Sequence, residues 1–310
     1  MKRERIIQLD FIRAILIILV ILVHIVHFGN LHPDIKSSVL AFLMPTFLMV
    51  TGFLVNINKS IKEFSVYLSG IALPYVIMVC GYMVISLYLP VRDGITALDA
   101  ETFFRVLFIT SIGPYWFFRV MIVCGICYYI VFHFLRNTLL AKYVILGSIL
   151  LLVSLYTPFL SAECAVYYFI GIGLRLFIKD YRSICIGSFW TGIPLLIMVS
   201  REAWRDWGMI YILLCVICFG TFSNKLSEYS KGKIRRALLY IGRNTLPIYI
   251  FHPIFTMMSK YTVPVFQFDS SGVCHAVFTI VLCITGSLCI ALAMDKTHLS
   301  YIFAHRRILR

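Results

Sequence analysis

A histidine that ends the first long apolar stretch of the chain is the clearest candidate for a catalytic group. Imidazole is the side chain that can take up and return a proton near neutral pH, and His24 follows ten apolar residues that separate it from Arg13. On a helix these two residues lie about 20° apart around the axis and about 16 Å apart along it. Asp10 and His27 fall within about 60° of the same line. The spacing predicts a polar groove along one helix face, which suits an extended ligand.

Two later apolar stretches also contain polar groups. Arg119 lies three residues after Trp116, about five residues into its helix, and structural and substrate-binding interpretations are about equally favoured for it. Asn244 and His252 occur together in a later stretch. They could bind substrate or form hydrogen bonds between helices, which is the common use of polar groups in helical bundles.

The composition shows where these residues must be placed. The 310-residue chain is 61% hydrophobic and 14% charged, whereas soluble domains are about 45 to 50% apolar and about 25% charged. This excludes a soluble globule, a disordered chain, collagen and a coiled coil. The 10 cysteines lie almost all in apolar runs, without the spacing of a disulfide framework or a zinc site. We therefore expect free thiols and no metal.

The apolar segments predict a bundle of membrane-spanning helices. A span needs roughly 20 apolar residues, and about ten such segments can be placed. They cover residues 9–29, 37–57, 66–89, 115–135, 139–157, 162–178, 183–199, 207–223, 237–258 and 273–294. No connection between them is long enough to fold alone. The fold class expected is an all-α, polytopic transmembrane bundle that forms a single domain over residues 1–310.

The charges predict the orientation of the bundle. The chain has 28 Lys and Arg against 14 Asp and Glu, a net charge of +14. Most of the basic residues fall in the connections that lie inside if the N-terminus is inside, and cytoplasmic connections retain Lys and Arg. Both termini are therefore predicted to be cytoplasmic. The basic excess is explained by topology, so membrane lipids are expected partners and nucleic acid is not.

The first helix has four ionisable residues, Asp10, Arg13, His24 and His27, in a segment that is predicted to lie in the bilayer. Ionisable groups in a membrane are costly and usually mark a site or a pathway, so we favour a functional role for His24. Its structural alternative is a hydrogen bond to a neighbouring carbonyl group or a place at the outer interface. Asp10 and Arg13 have an equally good structural alternative, which is an ion pair three residues apart at the inner helix end.

Several segments carry a family resemblance. Leu9-Asp10-Phe11-Ile12-Arg13, with His24 eleven residues beyond the arginine, is similar to the opening signature of acyltransferase family 3. Later segments resemble this family's second and third helices, its Trp-Phe segment and its late signature. These are Phe42–Leu54, Pro74-Tyr75, Tyr115–Phe118 and Ile241–Pro253. The matching segments extend over about residues 8–255, which is most of the chain.

The resemblance implies an activity. Members of this family are membrane enzymes that O-acylate cell-surface sugars, and this chain looks like the short branch of fucose O-acetylase-like proteins. It implies a multi-pass protein of the bacterial inner membrane that moves acetyl from cytoplasmic acetyl-CoA to a hydroxyl group. The acceptor would be a cell-surface glycan or its lipid-linked precursor.

The resemblance also implies roles for residues. The catalytic residues would be His24, Asp10 and Arg13; the acetyl-CoA ligands Arg13, Lys59 and Lys62; and the acceptor ligands Trp116, Arg119, Asn244 and His252. Two features depart from the family pattern. Lys59 and Lys62 stand where many members have arginines, and Arg119–Ile122 stands where many have a glutamate after the Trp segment. The second departure leaves the catalytic partner of His24 open.

Two other functions fit the same pattern. A transporter or flippase of a lipid-linked glycan would also have about ten spans with charged groups inside, although no internal repeat typical of carriers is visible. A polysaccharide polymerase would normally have a larger outer loop. The sequence leaves open the acceptor sugar, the length of the acyl group, a direct or acetyl-histidine mechanism, and the oligomeric state.

Overall fold

The computed structural model describes residues 6–89, 93–178, 184–201 and 208–310. These residues form helices joined by short connections, and no β-strand occurs among them. The α-helices are Ile7–His24 (α1), Val26–Leu31 (α2), Pro33–Leu54 (α3), Ile61–Ser86 (α4), Ala100–Arg105 (α5), Trp116–Phe134 (α6), Leu139–Tyr156 (α7), Ala162–Gly173 (α8), Gly192–Ser200 (α9), Met209–Tyr229 (α10), Gly232–Arg243 (α11), Thr245–Ser259 (α12) and Val273–Lys296 (α13). The all-α prediction is confirmed for the described residues.

The chain divides into two compact units. The first unit contains Met1–Phe47, Ile178–Ala293 and Ile308–Arg310, and the second contains Leu48–Phe177 and Met294–Arg307. The boundaries fall inside α3 and near the end of α13. The single domain over residues 1–310 stays a prediction.

Seven helical segments among the described residues are long and apolar enough to cross a bilayer. They are α1, α3, α4, Gly113–Phe134, α7, α10 and α13. The predicted spans at 162–178, 183–199 and 237–258 contain shorter helices: α8 with a π-helical turn, α9, and the pair α11 and α12. The first residues of two predicted spans, 183 and 207, lie outside the described residues. The chain is a multi-pass membrane protein.

The first predicted span is interrupted directly after His24. Ile25 is extended, with ψ of 102°, and its N–H donates to Leu22 O at 3.2 Å rather than continuing the α-helical pattern. The prediction of one helix over residues 9–29 is therefore wrong beyond His24, and His27 lies on α2. Val23, Ile25 and Val26 are β-branched, and such residues lose side-chain freedom in a helix. His24 consequently lies at a helix end.

In the first unit, α1 is surrounded by other helices. It packs against α10, α11 and α12 and contacts α2. Its side chains at Phe11, Leu16 and Ile17 are fully buried. A span that is covered on several sides by protein can carry polar groups at a lower cost than one that faces lipid, because those groups find partners in neighbouring helices.

The second unit is built around α4, α6, α7 and α8. The helix α6 packs against α4, α7 and α8, and the ring of Phe64 stacks on that of Tyr129 with 3.8 Å between centroids. A Cβ on Gly171 would lie 2.2 Å from Met49 O, so only glycine allows this approach of α8 to the last part of α3. Close backbone approach at small residues is the usual way in which membrane helices pack.

Candidate active site

The inner part of α1 is held by Asp10 and Arg13. Arg13 Nη1 lies 3.8 Å from Asp10 Oδ1, so the ion pair expected as a structural alternative is confirmed. Arg13 Nη2 also donates a hydrogen bond to Thr245 Oγ1, at the first residue of α12. Asp10 is buried and the Arg13 side chain is 24% exposed. Arg13 therefore joins α1 to α12, and part of its side chain stays accessible.

Glycine at position 242 sets the distance between α1 and α11. A Cβ at this position would lie 1.8 Å from the carbonyl oxygen of Asp10, far inside van der Waals contact. The backbones of the two helices therefore touch at the level of the Asp10–Arg13 pair. Small residues permit such contacts between membrane helices, so Gly242 fixes the position of α1.

One ring nitrogen of His24 is hydrogen-bonded to a carbonyl group of its own helix. Its Nδ1 lies 2.6 Å from Val20 O. A carbonyl oxygen can only accept a hydrogen bond, so in the neutral ring Nδ1 carries the proton and Nε2 carries the lone pair. The structural alternative, a bond to a neighbouring carbonyl, is thus present and is compatible with catalysis. It fixes the tautomer in which Nε2 can act as a base.

His252 lies beside His24. The ring centroids are 5.4 Å apart and the ring planes meet at 70°, an edge-to-face arrangement. The side chain of His252 has no exposed surface. Its Nδ1 lies 3.0 Å from Tyr249 O and 3.2 Å from Ile248 O, whereas its buried Nε2 has no hydrogen-bond partner. The structure thus brings together two histidines that the sequence places on separate helices.

The amide of Asn244 is used by backbone groups. Its Oδ1 accepts from Arg310 N at 2.7 Å, and its Nδ2 donates to Tyr240 O at 2.9 Å and to Arg310 O at 3.3 Å. The predicted span at 237–258 is divided here into α11 and α12, and these bonds fasten Arg310 to the junction. The geometry favours a structural role for Asn244 over a contact with substrate.

Replacing Asn244 by alanine is expected to destabilise the protein. The change removes the hydrogen bonds of the side-chain amide to Tyr240 and Arg310, and a hydrogen bond typically contributes about 0.5 to 1.5 kcal/mol. The melting temperature of the detergent-purified variant should therefore fall. Asn58→Ala is the control, because Asn58 is exposed and its replacement should leave the melting temperature unchanged. Equal melting temperatures for both variants would contradict this role.

A second pair of histidines, His27 and His275, lies in the first unit. The rings of His27 and His275 are 5.3 Å apart and nearly perpendicular, and His275 Nε2 lies 3.0 Å from Ser259 O. His275 is buried and was not among the residues expected from sequence. The only feature of the sequence that could have pointed to His275 is a histidine within an apolar segment. His27 also lies close to Gly272, whose positive φ of 67° suits glycine.

The connection before α13 is ordered by a carboxylate. Asp269 accepts hydrogen bonds from the hydroxyl of Ser271 at 2.5 Å and from the backbone N–H groups of Ser271 and Cys274. Hydrogen bonds from the Ser271 hydroxyl and from these N–H groups lower the pKa of Asp269 to about 2. The side chain therefore stays ionised at neutral pH. Ser271 O in turn accepts from His32 Nε2 at 2.8 Å.

Arg119 in the second unit is partly buried, and two of its guanidinium nitrogens lack hydrogen-bond acceptors. Its Nε and Nη1 are buried and have no partner. Tyr75 and Cys164 are close enough to interact with it electrostatically, and the Tyr75 hydroxyl donates to Leu107 O at 2.5 Å. Trp116 lies half-buried three residues before it in α6. A guanidinium with unpaired buried N–H groups is suited to binding an anionic or strongly accepting group.

The two lysines expected near acetyl-CoA also belong to the second unit. Lys59 Nζ lies 4.0 Å from the centre of the Tyr67 ring, and Lys62 is exposed at the start of α4. The structure therefore groups the predicted site residues by unit. Asp10, Arg13, His24, Asn244 and His252 belong to the first, and Lys59, Lys62, Trp116 and Arg119 belong to the second.

No group of three His, Cys, Asp or Glu side chains in the described part of the chain is arranged to hold a metal ion. The ten cysteines are free thiols. Among the described residues of the first unit, His24 lies beside His252 and on the same helix as the ion pair of Asp10 and Arg13.

Comparison with known proteins supports one family. A family model described as an acyltransferase domain matches residues 6–292. Neither a search of the curated proteins nor a search of the solved structures gives a match.

Proposed function

Because this chain belongs to acyltransferase family 3, we propose that it moves an acetyl group from acetyl-CoA to a hydroxyl of a cell-surface glycan or its lipid-linked precursor. The family membership confirms the resemblance of the opening and late segments and makes the chain a membrane acyltransferase. The proposal adds the donor, the acceptor and O-acetyl specificity, together with a place in the bacterial inner membrane and both termini in the cytoplasm.

The observation that carries this proposal is the hydrogen bond of His24 Nδ1, because it sets the tautomer of the ring. A hydroxyl group is a weak nucleophile and needs a base within hydrogen-bond reach when it attacks a thioester. The bond from Nδ1 to Val20 O leaves the lone pair on Nε2. The Nε2 atom takes the proton of the attacking hydroxyl, the C–S bond of the thioester breaks, and the proton passes to the departing thiolate. An acetyl-histidine intermediate on the same nitrogen is the alternative route.

Basic residues provide for the donor in this proposal. The phosphates of acetyl-CoA are anionic, so Arg13, Lys59 and Lys62 are proposed to bind them by charge. The Arg13 side chain is 24% exposed while it is paired with Asp10, and Lys62 is exposed. Asp10 is then a positioning residue, because it holds the orientation of Arg13 on α1.

Arg119 is proposed, with Trp116, to bind the acceptor, and replacing it by leucine should weaken acceptor binding. A hydrogen bond from a charged donor contributes about 1.5 to 3 kcal/mol, so the KM for the glycan acceptor should rise about tenfold or more. The melting temperature should stay equal or rise, because Nε and Nη1 lack acceptors in the free protein. The measurement is the dependence of acetyl transfer on acceptor concentration.

The control for this substitution is Arg105→Leu. Arg105 is exposed at the end of α5 in the same unit, so its replacement should leave the KM unchanged. A wild-type KM in Arg119→Leu would contradict the assignment of Arg119 to the acceptor.

Acetyl-CoA binding separates the enzyme from a transporter. A ligand present at about 100 times its dissociation constant stabilises a protein by about 2.7 kcal/mol. Detergent-purified protein should therefore melt at a higher temperature with acetyl-CoA than without it, and it should release free CoA when membrane glycan is added. A protein that acetyl-CoA does not stabilise, and that moves lipid-linked glycan across vesicle membranes, would be a flippase.

A further inference from the structure

The buried Nε2 of His252 is the least explained polar atom of the first unit. It has no hydrogen-bond partner, and the side chain has no exposed surface. A buried polar atom without a partner costs free energy comparable to that of a lost hydrogen bond. Phenylalanine would fill similar space without this cost. The position of the nitrogen therefore calls for a donor that arrives during function.

A proline fixes which nitrogen of His252 carries the proton. In a helix, the N–H of residue 253 would donate to Tyr249 O, but Pro253 has no N–H. His252 Nδ1 lies 3.0 Å from this carbonyl oxygen and takes the place of the missing donor. Because a carbonyl accepts only, Nδ1 carries the proton in the neutral ring and Nε2 presents a lone pair. His252 is thus built as a hydrogen-bond acceptor.

His24 can supply the matching donor. Its neutral ring has the same arrangement, with Nδ1 bonded to Val20 O and a lone pair on Nε2. The two rings lie edge to face with their centroids 5.4 Å apart. Two neutral rings of this kind cannot hydrogen-bond to each other through their Nε2 atoms, since neither has a proton there. Protonation of His24 supplies the N–H that such a hydrogen bond requires.

We propose that His252 is the positioning partner of His24 and accepts a hydrogen bond from the Nε2–H of the His24 imidazolium during acetyl transfer. This inference rests on the proposed function. It replaces the expectation that His252 contacts the glycan and supplies the partner that the sequence left open. His252 acts through His24 and contacts neither the acetyl group nor the acceptor.

The proton balance of this step is simple. The O–H bond of the acceptor breaks as its oxygen bonds to the acetyl carbon, and the proton moves to His24 Nε2. A rotation of the His24 side chain then directs the new N–H to the lone pair of His252, which stabilises the positive charge. When the thiolate leaves, the proton returns to sulfur and His24 is neutral again. His252 gains and loses no atom.

Three substitutions separate this role from a structural one. In His252→Asn, the side-chain amide can still donate to Tyr249 O but cannot reach the position of Nε2. In His252→Gln, the amide reaches the Nε2 position and restores an acceptor. In His252→Phe, the ring is kept and both polar atoms are removed. We expect His252→Asn and His252→Phe to lower kcat about 100-fold with an unchanged KM for acetyl-CoA, and His252→Gln to keep most of the rate.

A spectroscopic measurement tests the pair without relying on transfer. Protein labelled with 15N-histidine is purified in detergent, and its NMR spectrum is recorded at a pH that protonates His24. The wild type and His252→Gln should show a downfield Nε2–H signal of a hydrogen-bonded imidazolium that His24→Ala lacks. His252→Phe should lose the same signal while its melting temperature is maintained.

The transfer rate and the NMR signal together distinguish a failure of the proposed function from a failure of the histidine pairing. Wild-type protein that transfers no acetyl but shows the downfield signal would refute the proposed function and leave the histidine pair in place. Absence of the signal in the wild type, or a wild-type kcat in His252→Asn, would overturn the inference. If His252→Asn does not fold, the wild-type signal and the kcat of His252→Phe decide.

Discussion

Replacing His24 by alanine should lower the rate of acetyl transfer by about 10²- to 10⁴-fold, the range found when a general base is removed. The reason is that the acceptor hydroxyl then has no group in reach to take its proton. The fold should tolerate the change, because the ring of His24 lies half-buried at the end of α1 and bonds to a carbonyl of its own helix. The loss of that bond corresponds to about 0.5 to 1.5 kcal/mol. The measurement is the release of free CoA from acetyl-CoA in the presence of membrane glycan.

A histidine elsewhere in the chain provides the control. His133 is exposed near the end of α6 and stacks on Tyr129 with 4.8 Å between ring centroids. It belongs to the second unit, and no step of the proposed reaction uses it. His133→Ala should keep the wild-type rate, and His24→Gln should be as slow as His24→Ala. Full activity in His24→Ala would remove His24 from the mechanism.

Alanine at position 242 should have the second large effect, this time on the fold. The added Cβ would lie 1.8 Å from the carbonyl oxygen of Asp10, so α1 and α11 must separate. Overpacking typically costs about 1 to 3 kcal/mol, and a clash with backbone atoms belongs at the upper end or above it. Because α1 carries Arg13 and His24, a shift of this helix should also weaken the contact with Thr245 and the pairing with His252. The melting temperature and the transfer rate should therefore fall together.

Gly81 offers a matched comparison in another helix. It lies in α4, it is exposed, and a Cβ there would meet no atom within 4 Å. Alanine is favoured over glycine in helices by about 1 kcal/mol, so Gly81→Ala should melt at the same temperature or higher. The two substitutions make the same chemical change. If they shift the melting temperature equally, the close approach at Gly242 does not hold α1 in place.

The main features of α1 could be predicted because they depend on local rules. Helical periodicity places Asp10, Arg13 and His24 near one line, and the ion pair between the first two follows from their separation by three residues. The end of the helix at His24 was not predictable in the same way. The residues next to the break, Val23, Ile25 and Val26, are apolar and compatible with a longer span. They are β-branched, but so are many residues within α1, so this property does not mark the break.

The pairing of His24 with His252 depends on contacts between distant segments. Periodicity places His252 on a helix, but it does not say which helix will face it. Two small features of sequence become informative only with the structure. Gly242 sets the approach of α11 to α1, and Pro253 frees the carbonyl oxygen that orients the His252 ring. From the sequence alone, Gly242 looks like an ordinary glycine and Pro253 looks like a proline that kinks a helix.

The later predicted span at 237–258 shows the same limit of local rules. Its composition is apolar enough for one helix, yet the chain forms α11 and α12 with Asn244 between them. The asparagine takes backbone partners from Tyr240 and from Arg310, which is 66 residues later in the chain. A hydrogen bond over such a distance cannot be deduced from hydropathy. The helical class and the family were predictable because they depend on composition and on short motifs.

Transfer of acetyl with the help of His24 is the central step of the proposed mechanism, and it can be measured directly. Wild-type protein and His24→Ala are purified, returned to lipid vesicles with membrane glycan, and supplied with acetyl-CoA that carries a labelled acetyl group. The proposed mechanism predicts that label enters the glycan fraction with the wild type alone, while acetyl-CoA raises the melting temperature of both proteins equally. Label that enters the glycan at the same rate with both proteins, or with neither, would contradict it.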